Sequence, residues 1–362
     1  MRSFIAIAVC WLVACSDPDP EQPPGGGGEP GVAGAGGGGG GEAASSGSGG
    51  TSQAGSSAGL GGSDDGPEDL EGSSRLALGT EFGCAINRHH DIECWGMPTS
   101  DDGQTAAPAG SYVQIRGSGA TACAVTAGSS FDCWGALAGE PSGAPPSGTD
   151  TADVAVGGHA CMLRRDGSIR CTGSVENGGI GLQLGPFIGV GAGNGTSCGL
   201  KETGDVLCWG NDDHGIVTDA PTGALAQIAV GENHACAIRP TDSSVVCWGA
   251  GDSDDPNGND PELIAFGQAV PPAGEFVAVA AGLGHSCGIH ENGTVECWGA
   301  GTTVENCEET LECGQAIAPT GTFVQVACGT SNSCGIKDDG SLECWGSNTG
   351  DRSTPPAEFR AF

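Results

Sequence analysis

Basic residues are scarce in this chain: 12 Lys and Arg stand against 45 Asp and Glu among 362 residues, for a formal net charge of -33. Binding to a phosphate backbone depends on Lys and Arg that displace counterions. DNA, RNA and anionic lipid headgroups are therefore poor partners for this surface. Aromatic side chains are also few, at 5% of residues with a single Tyr, which favours a fold that gains stability from other sources.

The N-terminus carries an apolar run from Phe4 to Val13 after a single basic residue. The run is long enough for the core of a signal peptide and too short to span a membrane as a helix. The sequence Leu12-Val13-Ala14-Cys15 resembles the lipobox of bacterial lipoproteins. That resemblance implies that residues 1–14 are a signal peptide and that Cys15 becomes lipidated, anchoring the protein by acyl chains. An ordinary secretory signal is the alternative.

Residues 15–74 read as a disordered tether rather than a domain. From Ser16 to Ser74 there are ten acidic residues and no Lys, Arg or aromatic residue. Such a segment cannot bury enough apolar surface to offset the ordering of its backbone. Its expected end-to-end span is roughly 40 Å. Two interpretations of this segment stay open: a spacer above a membrane, and low-complexity sequence without a function.

Nineteen Cys are too many for a reducing compartment unless they bind metal, and their spacing is regular. The tripeptide Cys-Trp-Gly recurs six times, with a seventh copy that has Thr in place of Trp, at intervals of 39, 38, 37, 39, 50 and 47 residues. A first cysteine stands ten or eleven residues before each second one. The seven pairs are Cys84 and Cys94, Cys123 and Cys133, Cys161 and Cys171, Cys198 and Cys208, Cys236 and Cys247, Cys287 and Cys297, and Cys334 and Cys344.

Each pair fits one β-hairpin. If Gly167 takes the left-handed position of a three-residue loop, Arg164 lies opposite Ser168 and Cys161 lies opposite Cys171 at a non-hydrogen-bonded position. Cα atoms at such positions are about 4.5 Å apart, which a disulfide tolerates. We therefore expect seven disulfides within hairpins, each contributing roughly 2 to 3 kcal/mol. Zinc sites are the rejected alternative, because a hairpin supplies two ligands and no CxxC pair adds more.

Three cysteines of this region stand outside the pairs. Cys328 aligns with Val156, Val230 and Ala281 in an apolar strand, which predicts a buried free thiol. That leaves Cys307 to pair with Cys313 within an inserted loop. The pair Cys236 and Cys247, which is one residue longer, keeps its register if the insertion lies in the hairpin loop around 240–243.

Short apolar strands precede each hairpin, so three or four strands repeat about every 38 residues over 75–362. A small sheet cannot hide its own apolar faces, and stacking seven of them into a toroid does so. We therefore predict an all-β, seven-bladed β-propeller. The C-terminal segment 357–362 mimics the opening strand of a repeat, as in Glu275-Phe276-Val277. One end of the chain is expected to complete the blade that the other begins.

The motifs Val-x-Val-x-x-Gly, Gly-x-x-His-x-Cys and Val-x-Cys-Trp-Gly, separated by an Asp-Gly or Asn-Gly turn, resemble bacterial members of the regulator-of-chromosome-condensation repeat family. Gly231 to Cys236 and Gly282 to Cys287 carry the central motif. The resemblance covers about 75–362 and implies a seven-bladed β-propeller. The Asn-x-x-Gly-Gln-Leu-Gly tail of the family repeat is largely absent. Family members include a nucleotide-exchange factor for a nuclear GTPase and bacterial inhibitors of β-lactamases, but neither activity transfers residue by residue.

Catalytic motifs are weak. Ser197 and Ser286 match a nucleophile-elbow pattern but lie in repeated strands, without the strand-turn-helix context that the device needs. His159, His234 and His285 recur at one repeat position, which predicts structural hydrogen bonds rather than ligand or base roles. His89 and His90 are expected to be solvated at a hairpin tip; no catalytic residue, metal or cofactor is predicted.

Several loops also suggest sites. The acidic loop 252–260 has oxygen ligands at alternate positions but lacks the rest of an EF-hand, so a solvated loop is favoured over calcium. The glycines of 191–195 precede a strand and no helix, which argues against a dinucleotide site. Insertions at about 250–275 and 300–322 follow Cys-Trp-Gly in neighbouring repeats, so we expect them on one face of the ring.

The sequence thus favours a monomeric, lipid-anchored propeller at the bacterial cell envelope, at the outer membrane or cell surface. We expect it to be a platform for an envelope or extracellular protein or glycan, without catalysis. One alternative is an inhibitor of a secreted enzyme such as a β-lactamase. The other is a propeller hydrolase or lyase that acts on envelope polysaccharide, whose mark would be carboxylates or His lining the central channel.

Overall fold

The computed structural model describes residues 74–97, 102–136, 150–173, 179–251, 266–304 and 313–362. These residues form seven antiparallel sheets, numbered 1 to 7 in chain order, as the repeat predicts. Six of the sheets have three strands and sheet 3 has a fourth. Cys15, the segments assigned to signal peptide and tether, Cys307 and the acidic loop 252–260 lie outside the described residues.

Successive hairpins build each sheet, so its strands follow one another in chain order. Sheet 1 has β1 (Leu76–Leu78), β2 (Gly83–Ile86) and β3 (Ile92–Trp95); sheet 2 has β4 (Tyr112–Ser118), β5 (Thr121–Thr126) and β6 (Phe131–Gly135); sheet 3 has β7 (Thr151–Val156), β8 (His159–Arg164), β9 (Ile169–Gly173) and β10 (Gly181–Gln183); sheet 4 has β11 (Phe187–Ala192), β12 (Thr196–Lys201) and β13 (Val206–Gly210). Sheet 5 has β14 (Gln227–Val230), β15 (His234–Ile238) and β16 (Val245–Gly249); sheet 6 has β17 (Phe276–Ala281), β18 (His285–His290) and β19 (Val295–Gly299); sheet 7 has β20 (Phe323–Cys328), β21 (Asn332–Lys337) and β22 (Leu342–Gly346).

The hairpin register agrees with the prediction. Cys161 lies opposite Cys171, the Arg164 N–H donates to Ser168 O at 2.9 Å, and Gly167 has a φ of 80°. In the longer hairpin, Ile238 pairs with Val245, so the extra residue lies in the loop. All seven predicted disulfides are present, each with Cα atoms 4.0 Å apart. Each cross-link therefore holds the middle strand of a sheet to its third strand.

The apolar core of the described residues is divided into seven clusters, each lying between neighbouring sheets. Between sheets 6 and 7, for example, Ile289 packs with Phe323 and Trp345. Each sheet contacts the next in chain order, and sheet 1 contacts sheet 7. The sheets therefore form a closed ring, in which both faces of every sheet are buried against a neighbour, as stacked blades require.

The C-terminus closes the ring. The Ala361 N–H donates to Gly340 O at 2.9 Å, as the Phe323 N–H donates to Gly293 O at 2.8 Å in the preceding repeat. Phe359 and Ala361 are buried in the cluster shared by sheets 7 and 1. The last residues of the chain thus occupy the place where the first strand of sheet 1 would begin. The expectation that one end of the chain completes the blade begun by the other is confirmed.

Among the described residues, no helix has the length and hydropathy that crossing a membrane requires. Within the described ranges, Thr349–Asp351 forms a 3₁₀ turn.

Candidate functional site

Three histidines each join one sheet to the next through a serine. His159 Nε2 lies 2.6 Å from Ser197 Oγ, and His234 Nε2 lies 2.7 Å from Ser286 Oγ. The third pair is His285 and Ser333, at 2.8 Å. The histidines therefore make structural hydrogen bonds, as predicted, and their partners are serines that the sequence did not reveal.

A main-chain carbonyl completes each of these pairs. The Ser197 hydroxyl donates to Gly179 O at 2.8 Å, in the connection between β9 and β10 of sheet 3. Because the hydroxyl proton is used there, its oxygen accepts the Nε2–H of the histidine. The corresponding carbonyls for the other two serines belong to Gln268 and Gln315, at 3.2 Å in both cases.

This chemistry does not activate a nucleophile. Burial lowers the pKa of His159 to about 4 and the pKa of His234 and His285 to about 3. These rings are neutral at physiological pH, and the buried Nδ1 atoms of His234 and His285 have no hydrogen-bond partner. A Ser–His catalytic pair needs a third group that orients the base and a serine that substrate can reach. Ser197, Ser286 and Ser333 are fully buried, so the pairs act as cross-links between sheets.

Tryptophans of the Cys-Trp-Gly motifs bind the same carbonyls. The Trp298 indole N–H donates to Gln268 O at 2.9 Å, and the Trp345 indole donates to Gln315 O at 2.8 Å. Trp134 makes the same bond to Gln104 O. Each of these glutamines follows a glycine of positive φ, at 103, 267 and 314. In three connections, a Gly-Gln dipeptide therefore supplies the carbonyl that accepts the indole N–H.

A central channel is lined by the ends of the first strands of all seven sheets. Its wall carries small and apolar residues, which are Leu78, Gly117, Val156, Ala192, Val230, Ala281 and Cys328, and its rim carries the residues that follow them. Main-chain bonds join neighbouring sheets at this rim, such as Glu232 N to Gly282 O at 3.1 Å. Glycine is required there: a Cβ on Gly193 would lie 2.2 Å from Gly231 O.

Cys328 is a free cysteine, as predicted. Its side chain is half-buried rather than enclosed, because it lines the channel. Burial raises the pKa of its thiol to about 12. His285 and Cys287 place potential ligand atoms within 4.8 Å of its sulfur, but Cys287 is disulfide-bonded and cannot serve as a thiolate ligand. Cys313 is also in a disulfide, and its predicted partner lies outside the described residues.

Exposed apolar side chains recur at one position of consecutive repeats. Ile188, Val277 and Val324 are each about half exposed, and each follows the first residue of its sheet. In all three sheets the pairing register shifts at this residue, which marks a β-bulge. Ala226 in sheet 5 and Phe362 in sheet 1 occupy the equivalent place and are also exposed. These five residues, the apolar arc, lie on the hairpin-turn side of sheets 4 to 7 and 1.

Other expectations have mixed outcomes. His89 is exposed at its hairpin tip, but His90 is half-buried, with its Nδ1 3.1 Å from Tyr112 O. The prediction of a solvated His90 is therefore wrong, because its positive φ of 64° turns the ring toward sheet 2. The glycines of 191–195 lead into β12 and not into a helix, as expected. Both insertions leave after the third strands of sheets 5 and 6, at equivalent positions, and their central residues lie outside the described part of the chain.

Comparison with known proteins agrees with this architecture. Residues 187–216, 276–302 and 323–350 match the family model described as the regulator of chromosome condensation (RCC1) repeat. The ectodomain of the receptor kinase CR4 from Physcomitrella patens is similar with a TM-score of 0.60 and 23% identity, over 76% of this chain and 73% of that one. The CRINKLY WD40 ectodomain of the receptor kinase ACR4 from Arabidopsis thaliana has the same TM-score and identity, over 79% of this chain and 98% of that one.

Prp20p from Saccharomyces cerevisiae, described with its binding to Gsp1p and histones, is similar with a TM-score of 0.52 and 18% identity, over 70% of this chain and 80% of that one. Identities this low establish the fold and no more. Three segments of the chain therefore match the RCC1 repeat, and its fold is similar to that of RCC1-type β-propellers.

Proposed function

We propose that this protein is a lipid-anchored, extracytoplasmic β-propeller that serves as a platform for binding another protein. The observation that carries the proposal is the apolar arc of Ile188, Ala226, Val277, Val324 and Phe362. Exposed apolar residues that are scattered singly need no explanation, but a series that recurs at one position of five neighbouring sheets, on one side of a rigid scaffold, is typical of an interaction surface. A protein partner fits this surface better than a glycan because the arc lacks hydrogen-bonding groups.

Similar structures support a binding role. Two of them are ectodomains of receptor kinases, which places such propellers outside the cell, and the third is described as binding Gsp1p and histones. The strongly negative charge of this chain argues against nucleic acid as a target, since an acidic surface repels phosphates. The partner is an envelope or extracellular protein with an apolar patch.

Catalysis gains no support from the channel. The hydrolase or lyase alternative requires several carboxylates or histidines at its mouth. Among the described residues that line the channel, Glu232 is the single carboxylate and no histidine is present. Of the serines that match a nucleophile pattern, both are buried against histidines of a neighbouring sheet.

Anchoring rests on the sequence. Cys15 follows a lipobox-like sequence, and 16–74 has the composition of a spacer. Seven disulfides fit an oxidising compartment. Labelling with radioactive palmitate tests this part: wild-type protein incorporates label, and the Cys15→Ser variant does not.

Site-specific photo-crosslinking of the full chain in its native cells tests the binding role. A photoreactive amino acid replaces Val277 or Val324, and in a control it replaces Leu184, which is 81% exposed outside the arc. We expect both arc positions to cross-link the same protein, and Val324→Asp to weaken the cross-link made from position 277. Equal cross-linking from position 184, or none from the arc, contradicts the proposal.

The alternatives give distinct results in the same system. If the cross-linked protein is a secreted enzyme whose activity falls when purified propeller is added, the platform is an inhibitor. Turnover of purified envelope polysaccharide by the full chain, abolished by Glu232→Gln, would instead favour the enzyme.

A further inference from the structure

Glu232 is an isolated negative charge at the rim of the central channel. The channel is open to solvent, and among the described residues Glu232 is the single ionisable group in its lining besides the thiol of Cys328. The main chain of Glu232 is fixed on both sides, because its N–H donates to Gly282 O and its carbonyl accepts the Asn194 N–H. The main chain of Glu232 is therefore held at the rim of the channel by the neighbouring sheets, and the residue lines the channel.

No basic residue of the described chain forms an ion pair with this carboxylate. Burial raises the pKa of Glu232 above its ordinary value, and no nearby charge lowers it again. A half-buried carboxylate without a counter-charge is unfavourable for the folded protein on its own. A bound cation would relieve that cost, and the net charge of -33 attracts cations to the surface.

The surroundings select the kind of cation. A calcium ion takes six to eight oxygen ligands, as a rule including several carboxylates, and the lining supplies a single carboxylate. The hydroxyls of Ser118 and Thr330 are further hydrogen-bond acceptors at the channel, and its wall carries aliphatic side chains such as Val156. One carboxylate, a few hydroxyls and an apolar wall suit a primary ammonium group on an alkyl chain.

We propose that the central channel binds a primary alkylammonium group, either of a free aliphatic amine or of a lysine side chain, with Glu232 as its counter-ion. This site is independent of the apolar arc: it lies at the channel, whereas the arc lies at the outer starts of the first strands. Failure of one proposal leaves the other standing.

Calorimetric titration of the full chain with n-butylammonium chloride at constant ionic strength tests the site. We expect saturable binding by the wild type and at least about a tenfold loss in Glu232→Gln, as removal of a charge-assisted hydrogen bond implies. Glu202→Gln, at an exposed hairpin turn, is the matched control and keeps wild-type affinity. Equal affinity in the wild type and Glu232→Gln, or equal binding of 1-butanol, overturns the proposal.

Two further arms use the same titration. Affinity of the wild type should fall as the pH is lowered through the raised pKa of Glu232, because protonation removes the counter-ion, and a pH-independent affinity contradicts this role. To distinguish a lysine side chain from a free amine as the source of the ammonium group, a tripeptide with a central lysine is compared with its Nε-acetyl form. Binding of the lysine peptide indicates a protein ligand, and binding of butylammonium alone indicates a small amine. Thermal unfolding of both variants verifies that they fold.

Discussion

Acid should weaken this propeller through its three buried histidines. His159, His234 and His285 have pKa values lowered from 6.5 to about 4, 3 and 3. In the unfolded chain they titrate near 6.5, so the unfolded state binds more protons as the pH falls below that value. Stability contributed by these neutral rings is therefore complete above about pH 6.5 and is progressively lost down to the folded pKa values.

The magnitude follows from the shifts. At pH 5 each histidine favours the unfolded state by about 2 kcal/mol, because that pH lies about 1.5 units below 6.5 and each unit corresponds to about 1.4 kcal/mol. Three such groups give about 6 kcal/mol, a large share of the 5 to 15 kcal/mol that is typical of a folded protein. At pH 7.5 the same groups contribute almost nothing.

The test compares the wild type with a triple variant in which His159, His234 and His285 are replaced by Gln. Glutamine can still donate to the partner serine but does not titrate. Carboxylates titrate in both proteins, so the difference between the two unfolding free energies isolates the histidines. We expect that difference to change by about 6 kcal/mol between pH 7.5 and pH 5, measured by guanidinium unfolding with tryptophan fluorescence and intact disulfides.

A difference that stays constant within about 1 kcal/mol would refute the reasoning. His89→Gln, at an exposed hairpin tip, is the matched control for the replacement of His by Gln. If the triple variant does not fold, each single variant should show about one third of the effect.

Three other perturbations address the rim, the ring closure and the free thiol. Gly193→Ala should destabilise the ring by more than about 2 kcal/mol in guanidinium unfolding, because its Cβ would meet a main-chain oxygen of sheet 5 at 2.2 Å; Gly128→Ala, with no atom nearer than 3.7 Å, should be nearly neutral. Phe359→Ala should cost about 3 to 5 kcal/mol in thermal or chemical unfolding, whereas Phe362→Ala, at an exposed position, should not, and equal effects would contradict the described closure. Cys328 should react with iodoacetamide at pH 8 many times more slowly in the folded than in the unfolded protein, because its thiol pKa is raised to about 12; mass spectrometry of unreduced peptides follows that reaction.

The strand register could be predicted because it is a local property. A glycine turn and two cysteines ten residues apart leave one antiparallel alignment, and the disulfide between Cys161 and Cys171 follows from counting along it. The seven sheets and the closure by Phe359 also follow from repetition, since each repeat needs a neighbour on both faces.

The histidine partners were missed because they depend on which sheet packs against which. His159 and Ser197 are 38 residues apart, and His234 and Ser286 are 52 residues apart. A signal was nevertheless present: wherever a repeat has His at this position, the next repeat has Ser before its first cysteine. One repeat has Thr196 at the histidine position, and the next repeat correspondingly has Ala235 at the serine position. Comparing each repeat with its successor would have revealed this pairing.

Disulfides hold strands together within a sheet, whereas non-covalent contacts hold neighbouring sheets together. Each disulfide joins two strands of one sheet, whereas the His–Ser pairs, the rim hydrogen bonds and the apolar clusters join one sheet to the next. Acid acts on the His–Ser pairs of the second set, because disulfides and apolar packing do not titrate. Protonation of the histidines therefore loosens contacts between sheets while each hairpin keeps its register. The apolar arc is spread over five sheets, so a surface of this kind exists only while those contacts hold, and binding through the arc should weaken before the hairpins unfold.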